Sequence, residues 1–280
     1  MYEQVKEKIL NAIIEDLEND TLVLPSLPEV ALKVKNIIDD PNATSTQLAE
    51  VISSDAALAT RLIQLANSPL LRGAKRADSL NMAITRMGNS MVKNCVHSLL
   101  VKQMFQPRTK ETERRFQLFW EHSTEVAAIS FSLAAMAKLR PDEALLAGLI
   151  HDIGALPIIM RAENTPELLE NEQVFDDIIE EMHTRLGKEI LRRWDFPSEI
   201  VAVAAEHENM TCNMSPKANL IDVVTVANLQ SYVGKNHRLS ETDWSEIPAF
   251  AKLNITTNYD DFEFEDEDGS INDVQQALRG

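Results

Sequence analysis

The sequence has few of the residues on which β proteins depend. Only 8 of its 280 residues are glycine, and aromatic residues make up 5% of the chain. Strands and their tight turns draw on both groups, so this scarcity argues against a β-rich fold. With 44% hydrophobic and 25% charged residues the chain can still bury a sizeable core, which excludes a wholly disordered protein. The composition therefore predicts an all-α fold.

Cysteine, positive charge and long apolar runs are also scarce, and each shortage argues against a class of protein. Cys95 and Cys212 lack the spacing of a disulfide framework or a thiolate zinc site, which fits a reducing cytoplasm. The chain holds 27 Lys and Arg against 44 Asp and Glu, and the net charge of −17 argues against nucleic acid as a partner. The longest strongly apolar stretch, residues 144–150, is too short to cross a bilayer, and no signal peptide is recognisable. We therefore expect a cytoplasmic protein that does not enter membranes.

Apolar residues recur at helical spacing along most of the chain, with polar turns between the helices. Thr44 and Gln47 form a capping box, Asp55 is a helix N-cap, and Gly88 divides two helices as a left-handed C-cap. Residues 107–115 are charged and show no apolar period, which favours a boundary between two lobes. The predicted organisation is an N-terminal helical lobe over residues 2–106, a second helical lobe over residues 116–235 and an irregular acidic C-terminal segment over residues 236–280.

Four histidines of the second lobe lie on the apolar faces of separate helices. They are His122, His151, His183 and His207, and Asp152 follows His151 directly. Imidazoles with a carboxylate suit Mn, Fe, Ni or Zn, and a divalent ion of this kind activates water for attack on phosphorus. The pattern therefore predicts a candidate metal site. The alternative is that each inward histidine is a core residue satisfied by a backbone carbonyl.

The motifs around these residues resemble the HD superfamily of metal-dependent phosphohydrolases. They are His122, GLIHDIG at 148–154, His183, His207 and VTVAN at 224–228. In the N-terminal lobe, LPSLPEVALKV, ISSDAALATRLIQLANSPL and SLNMAITRMG resemble the HDOD domain, the HD-related output domain of bacterial signalling proteins, whose hallmark Asn-Ser pair corresponds to Asn67 and Ser68. This resemblance covers roughly residues 22–235. It implies an HD-like helical bundle with an N-terminal helical lobe packed against it, and a regulatory or scaffolding role without an established enzymatic activity.

The sequence departs from the catalytic HD pattern at several positions. Asn228 stands where catalytic HD enzymes have Asp, and its amide is a weak neutral ligand, so a degenerate metal site is expected to bind more weakly. Glu208 could substitute as an oxygen ligand, whereas Asp222 faces elsewhere on its helix. The cyclic-dinucleotide phosphodiesterases of this superfamily carry a Lys after HD-x-G, where this sequence has Ala155. This difference argues against membership of that branch.

These features predict a bacterial signalling output or adaptor module that acts through contacts with other signalling proteins and without turnover. One alternative is a metal-dependent phosphohydrolase acting on a nucleotide or cyclic nucleotide, with the histidines and Asp152 as ligands. Another is a sensor whose degenerate site binds a nucleotide without cleaving it. A basic cluster of Arg72, Lys75 and Arg76 could bind an anionic partner or ligand, although such clusters are also typical of solvated loops.

Overall fold

The computed structural model describes residues 2–19, 21, 28–40, 43–68, 71, 75–257 and 270–279. Over these residues the chain is helical and contains no β-strand, as the composition predicts. The helices are α1 (Tyr2–Glu18), α2 (Glu29–Asp39), α3 (Ser45–Ile52), α4 (Ala56–Ala66), α5 (Leu80–Met104), α6 (Lys110–Met136), α7 (Pro141–Ile150), α8 (Ala155–Arg161), α9 (Pro166–Leu169), α10 (Glu172–Arg193), α11 (Ser198–Glu206), α12 (Leu220–Ser231), α13 (Pro248–Leu253) and α14 (Ser270–Arg279).

Local signals in the sequence set several helix ends. The backbone N–H of Thr44 donates to the side chain of Gln47 at 2.8 Å, and the Thr44 hydroxyl accepts from the Gln47 N–H in return. The carboxylate of Asp55 accepts from two N–H groups in the first turn of α4. Gly88, with φ of 77°, interrupts α5 in a conformation that favours glycine. The structure confirms the capping roles of Thr44 and Asp55 and the division at Gly88. With ψ of 161°, however, Gly88 lies outside the αL conformation of the predicted left-handed C-cap.

Asn67 stabilises the connection between α4 and α5 through side-chain hydrogen bonds. Its amide donates to the carbonyl of Ala77 at 2.9 Å, and its carbonyl oxygen accepts from the Ala77 N–H at 2.7 Å. Ala77 is fully buried, so this backbone depends on Asn67 for its hydrogen bonds. Arg86 adds a hydrogen bond from α5 to the carbonyl of Ala66 at 2.6 Å. The Asn of the Asn-Ser pair therefore has a structural role.

Asn67→Ala is expected to lower the free energy of unfolding by about 1–3 kcal/mol, because it leaves a buried N–H and a buried carbonyl without partners. Chemical denaturation measures this loss. Ser68→Ala is the matched control, since the Ser68 hydroxyl donates only to the nearby Leu65 carbonyl and a smaller loss is expected. Equal stability of Asn67→Ala and the wild type would show that the hydrogen bonds between Asn67 and Ala77 do not stabilise this connection.

The charged stretch at residues 107–115 is not a loop between lobes over its whole length. Helix α6 begins at Lys110, with the Thr109 side chain as its N-cap. Arg115 is held by Asp176 of α10, with Nη1 and Oδ1 2.6 Å apart. Ion pairing with a neighbouring helix therefore supports helical turns that lack an apolar period, and the predicted start of this helix at residue 116 is corrected to Lys110. The division into two lobes remains a prediction.

The C-terminal segment over residues 236–280 is more regular than predicted. Its described part contains the helices α13 and α14 and two short 3₁₀ turns, Arg238–Glu241 and Trp244–Glu246. Trp244 and Phe250 are buried and stacked, with ring centres 4.7 Å apart, and α14 packs on α6 and α4. Buried aromatic residues thus order this segment although its overall composition is acidic. The acidic run over residues 260–268 lies outside the described residues.

Helix α7 is buried among α5, α6, α11 and α12, and His151 and Asp152 follow its last residue. It packs directly on α6, because a Cβ on Gly148 would lie only 2.8 Å from the Cα of Ala127. The stretch Pro141–Asn164 is long and apolar enough to cross a membrane by length and composition, yet 78% of its most apolar window is buried within the protein. We interpret this stretch as core.

Candidate metal centre

The five predicted ligand residues come together from four helices. His122 lies on α6, His151 and Asp152 follow the end of α7, His183 lies on α10 and His207 follows the end of α11. Two groups form within this cluster: the ligand atoms of His122, His151 and Asp152 lie within 4.8 Å of one another, and so do those of Asp152, His183 and His207. Asp152 belongs to both groups. The predicted convergence of these side chains is what the structure has, while their role as ligands stays a prediction.

Gly154 allows the His151-Asp152 pair to approach α10. A Cβ at this position would lie 1.9 Å from the carbonyl oxygen of His183 and 2.4 Å from the backbone nitrogen of Gly187. No side chain fits at these distances, so only glycine permits the contact. Within the GLIHDIG motif, Gly154 thus positions the cluster that His151 and Asp152 join.

Backbone carbonyls fix the ring protons of the buried histidines. Nδ1 of His151 lies 2.7 Å from the Gly148 carbonyl oxygen, Nδ1 of His183 lies 2.8 Å from that of Ile179, and Nδ1 of His207 lies 3.1 Å from that of Val203. A carbonyl oxygen only accepts, so each Nδ1 donates its proton. In the neutral ring, Nε2 then carries a free lone pair, which is the arrangement that metal-binding histidines show.

His122 reaches the same state through a hydroxyl. Ser231 donates its hydroxyl proton to the carbonyl oxygen of Asn228 at 2.7 Å, so its oxygen accepts from Nδ1 of His122 at 3.3 Å. Nε2 of His122 then has its lone pair free and lies 3.2 Å from Nε2 of His151. The Tyr232 hydroxyl lies 3.2 Å from the same nitrogen and can donate its proton to this lone pair, so a metal ion at His122 would have to displace that hydrogen bond.

All four Nε2 atoms surround the carboxylate of Asp152. The Oδ2 atom lies 3.3 Å from Nε2 of His151 and 3.6 Å from that of His122. The Oδ1 atom lies 3.0 Å from Nε2 of His207 and 3.5 Å from that of His183. Among the described residues, Oδ1 and the Nε2 atoms of His183 and His207 are buried and have no partner with hydrogen-bond geometry. Lone pairs thus face lone pairs, and a cation between them satisfies all of these atoms together.

The surroundings favour the protonation states that a cation requires at Asp152, His122 and His207, but not at His151. Burial alone would lower the pKa of His151, but the neighbouring Asp152 carboxylate outweighs burial and raises it. Burial opposes ionisation of Asp152, but the neighbouring imidazoles, His151 foremost, outweigh burial and hold the pKa of this carboxyl well below its usual range. Burial, aided by His151, lowers the pKa of His122 to about 3. Burial also lowers the pKa of His207. A neutral imidazole and an ionised carboxylate are the forms that bind a divalent ion.

The remaining oxygen candidates have different surroundings. Asn228 is 1% exposed, and its Oδ1 has no hydrogen-bond partner among the described residues. The Oε2 atom of Glu208 lies 3.7 Å from Nε2 of His183, at the edge of the cluster. Asp222 faces α13 instead, with Oδ1 2.9 Å from the ammonium group of Lys252. The prediction that Asp222 is a poor replacement ligand agrees with this ion pair.

Sequence reasoning missed the aromatic side chains beside His122. The Tyr232 ring stacks on that of His122 at 4.8 Å, and His237 stacks on the other side of Tyr232 at 3.6 Å. Ser231 and Tyr232 follow Asn228 by three and four residues, so helical spacing could have placed both beside the predicted site. His237 lies in a turn without apolar periodicity, which left no signal in the sequence.

The basic cluster is only partly described. Lys75 and Arg76 are exposed before α5, and Arg72 lies outside the described residues. A role in binding an anionic partner or ligand stays a prediction.

Comparison with known proteins identifies relatives along most of the chain. The HDOD domain family matches residues 24–210. An uncharacterized protein of Treponema pallidum is 26% identical over 240 residues, which are 81% of this chain and 45% of that protein. The chain thus spans less than half the length of the curated relatives it matches.

Two solved structures are similar in fold. A protein of Shewanella amazonensis, provisionally named a metal-dependent phosphohydrolase, is 26% identical with a TM-score of 0.87, and the match covers 98% of this chain and 99% of that one. A protein of Marinobacter aquaeolei, provisionally named a signal transduction protein, is 18% identical with a TM-score of 0.61, covering 100% of this chain and 67% of that one. The second likeness concerns the fold alone.

Proposed function

The chain belongs to the HDOD domain family, and from this we propose that it is a bacterial signalling output or adaptor module built around a divalent metal ion. One observation carries the metal: on one side of Asp152, the buried Oδ1 faces the Nε2 lone pairs of His183 and His207, and none of these three atoms has a hydrogen-bond partner among the described residues. Mn, Fe, Ni and Zn all accept imidazole with carboxylate ligands. The partners in this proposal are other signalling proteins, which the module contacts directly.

Binding of partner proteins is favoured over catalytic turnover because the metal site has little negative charge. Asn228 contributes a neutral amide where catalytic HD enzymes carry a carboxylate. Glu208 is engaged by Arg238, with Oε2 and Nη2 2.6 Å apart. Asp152 therefore provides the main negative charge at the centre of the cluster. In this proposal the ion organises helices α6, α7, α10 and α11 around a stable centre.

A metal-dependent phosphohydrolase is the second candidate. It is favoured by the presence of all five ligand residues in one cluster and by the likeness to the Shewanella amazonensis protein over nearly its whole length. When bound, a divalent ion supplies Lewis-acid activation of water toward a phosphorus ester. Asp152 and the four imidazoles would hold the ion, and the substrate class would be a nucleotide or cyclic nucleotide.

Assays with the Mn²⁺-loaded protein separate these candidates. We expect no hydrolysis of bis(p-nitrophenyl) phosphate or of a cyclic dinucleotide above the level of the matched Asp152→Ala variant. Turnover that disappears in Asp152→Ala would overturn the adaptor proposal in favour of the hydrolase. A nucleotide that raises the melting temperature without being cleaved would instead indicate a sensor, because binding to the folded state stabilises it.

A further inference from the structure

One oxygen of Glu208 lies between the metal centre and a guanidinium group. The Oε2 atom is 3.7 Å from Nε2 of His183 and 2.6 Å from Nη2 of Arg238. Two ligand atoms that are each about 2.1 Å from one ion lie roughly 3–4 Å apart, so Oε2 has the separation from His183 expected of a ligand. The same atom is therefore shared by two competing interactions.

Arg238 has a second partner that keeps it in place. Its Nε atom lies 2.9 Å from Oε1 of Glu180 on α10. The Glu208 side chain is 18% exposed, against 50% for that of Glu180. Arg238 can therefore release Glu208 and still keep an ion-pair partner on the surface, while Glu208 faces the buried histidines.

Whether Glu208 or Arg238 prevails affects the charge balance at a bound divalent ion. Asp152 alone leaves a divalent ion with uncompensated positive charge, and Asn228 adds none of the missing negative charge. A second carboxylate at the ion would supply it, and a guanidinium beside that carboxylate opposes this. We propose that Glu208 is a further ligand of the metal centre and that Arg238 limits metal affinity by holding this carboxylate. This inference rests on the proposed function, namely that the cluster holds a divalent ion.

Metal titration of the full chain tests the proposal through substitutions of opposite effect. The measured quantity is the Kd for Mn²⁺, determined by calorimetry. We expect Glu208→Gln to weaken binding about tenfold and Arg238→Gln to tighten it about tenfold, the scale on which groups around a metal site act. Applied together with Glu208→Gln, Arg238→Gln should give no such tightening, because the carboxylate that it releases is gone.

Lys235→Gln is the matched control for charge. Lys235 pairs with Glu125 at 2.6 Å, and within the described part of the chain no ion pair joins it to Glu208. Its loss should change the Kd by no more than about twofold, as expected of an exposed ion pair.

An unchanged Mn²⁺ affinity in Glu208→Gln would show that Glu208 is not a ligand and would overturn the inference. Two results for Arg238→Gln would also overturn it, and all three would leave the proposed function intact. The first is an unchanged or weaker Mn²⁺ affinity in Arg238→Gln. The second is tightening of equal size in the presence of Glu208→Gln, which would reflect general charge instead of release. If the wild type binds no Mn²⁺, the proposed function and this inference both fail.

Discussion

Asp152→Asn is expected to abolish metal binding, with a loss of Mn²⁺ affinity of at least about a hundredfold. Its Oδ2 faces His122 and His151, and its Oδ1 faces His183 and His207, so a single substitution affects both halves of the cluster. Asparagine has nearly the same shape, and its NH₂ group can donate to imidazole lone pairs. The variant is therefore expected to fold, but with lower stability than the wild type in the absence of metal at neutral pH. The depressed pKa of Asp152 means that its ionised form stabilises the folded state, and thermal melting of chelator-treated protein measures the loss.

Asp142→Asn is the matched control for this experiment. Asp142 is also buried and lies on α7, where its Oδ2 accepts from Ser90 at 2.9 Å, Asn94 at 3.1 Å and Arg140 at 3.2 Å. Its replacement should lower stability and leave Mn²⁺ affinity unchanged. Mn²⁺ binding by Asp152→Asn at wild-type affinity would show that Asp152 is not a ligand.

Gly154→Ala is expected to destabilise the protein by about 3 kcal/mol or more, at or beyond the upper end of the cost of overpacking. The added Cβ would overlap the carbonyl oxygen of His183. Neither atom can rotate away, because each is bonded directly to closely packed backbone. The turn after α7 would have to move away from α10. Such a movement would also separate Asp152 from His183, so we expect weaker Mn²⁺ binding together with a lower denaturation midpoint.

Gly187→Ala is the control on the opposite side of this contact. A Cβ there would lie 3.4 Å from that of Ala204 and 3.5 Å from the nitrogen of Gly154, which are ordinary contacts. Alanine also favours a helix interior over glycine by about 1 kcal/mol. Its stability should match or exceed that of the wild type. If Gly154→Ala were as stable as Gly187→Ala, the contact of Gly154 with the backbone of α10 would not require glycine.

Much of the site could be predicted because helical periodicity is a local property. The positions of His151, His183 and His207 on apolar faces placed them inside, and all three are buried. The all-α fold followed from the composition in the same way. Apolar spacing also brings four helices around one core, but it does not give distances, so the sharing of Asp152 between two groups required coordinates.

The remaining features depend on contacts between segments that are distant in sequence. The start of α6 was not predictable because residues 110–115 lack an apolar period, and the ion pair that supports them joins Arg115 to Asp176, 61 residues later. The pairing of Arg238 with Glu208 joins a 3₁₀ turn to the residue after His207, and no local pattern connects them. Burial of Trp244 and Phe250 orders a segment whose acidic composition suggested otherwise.

Metal content of the purified protein tests directly whether Asp152 and the four histidines hold a divalent ion. The wild type should be purified without chelator and without a metal-affinity resin, and its metals quantified by mass spectrometry beside Asp152→Asn prepared identically. We expect at least one equivalent of Mn, Fe, Ni or Zn per chain in the wild type and none in the variant. A wild-type protein that is folded, metal-free and unable to take up Mn²⁺ on dialysis would contradict this expectation.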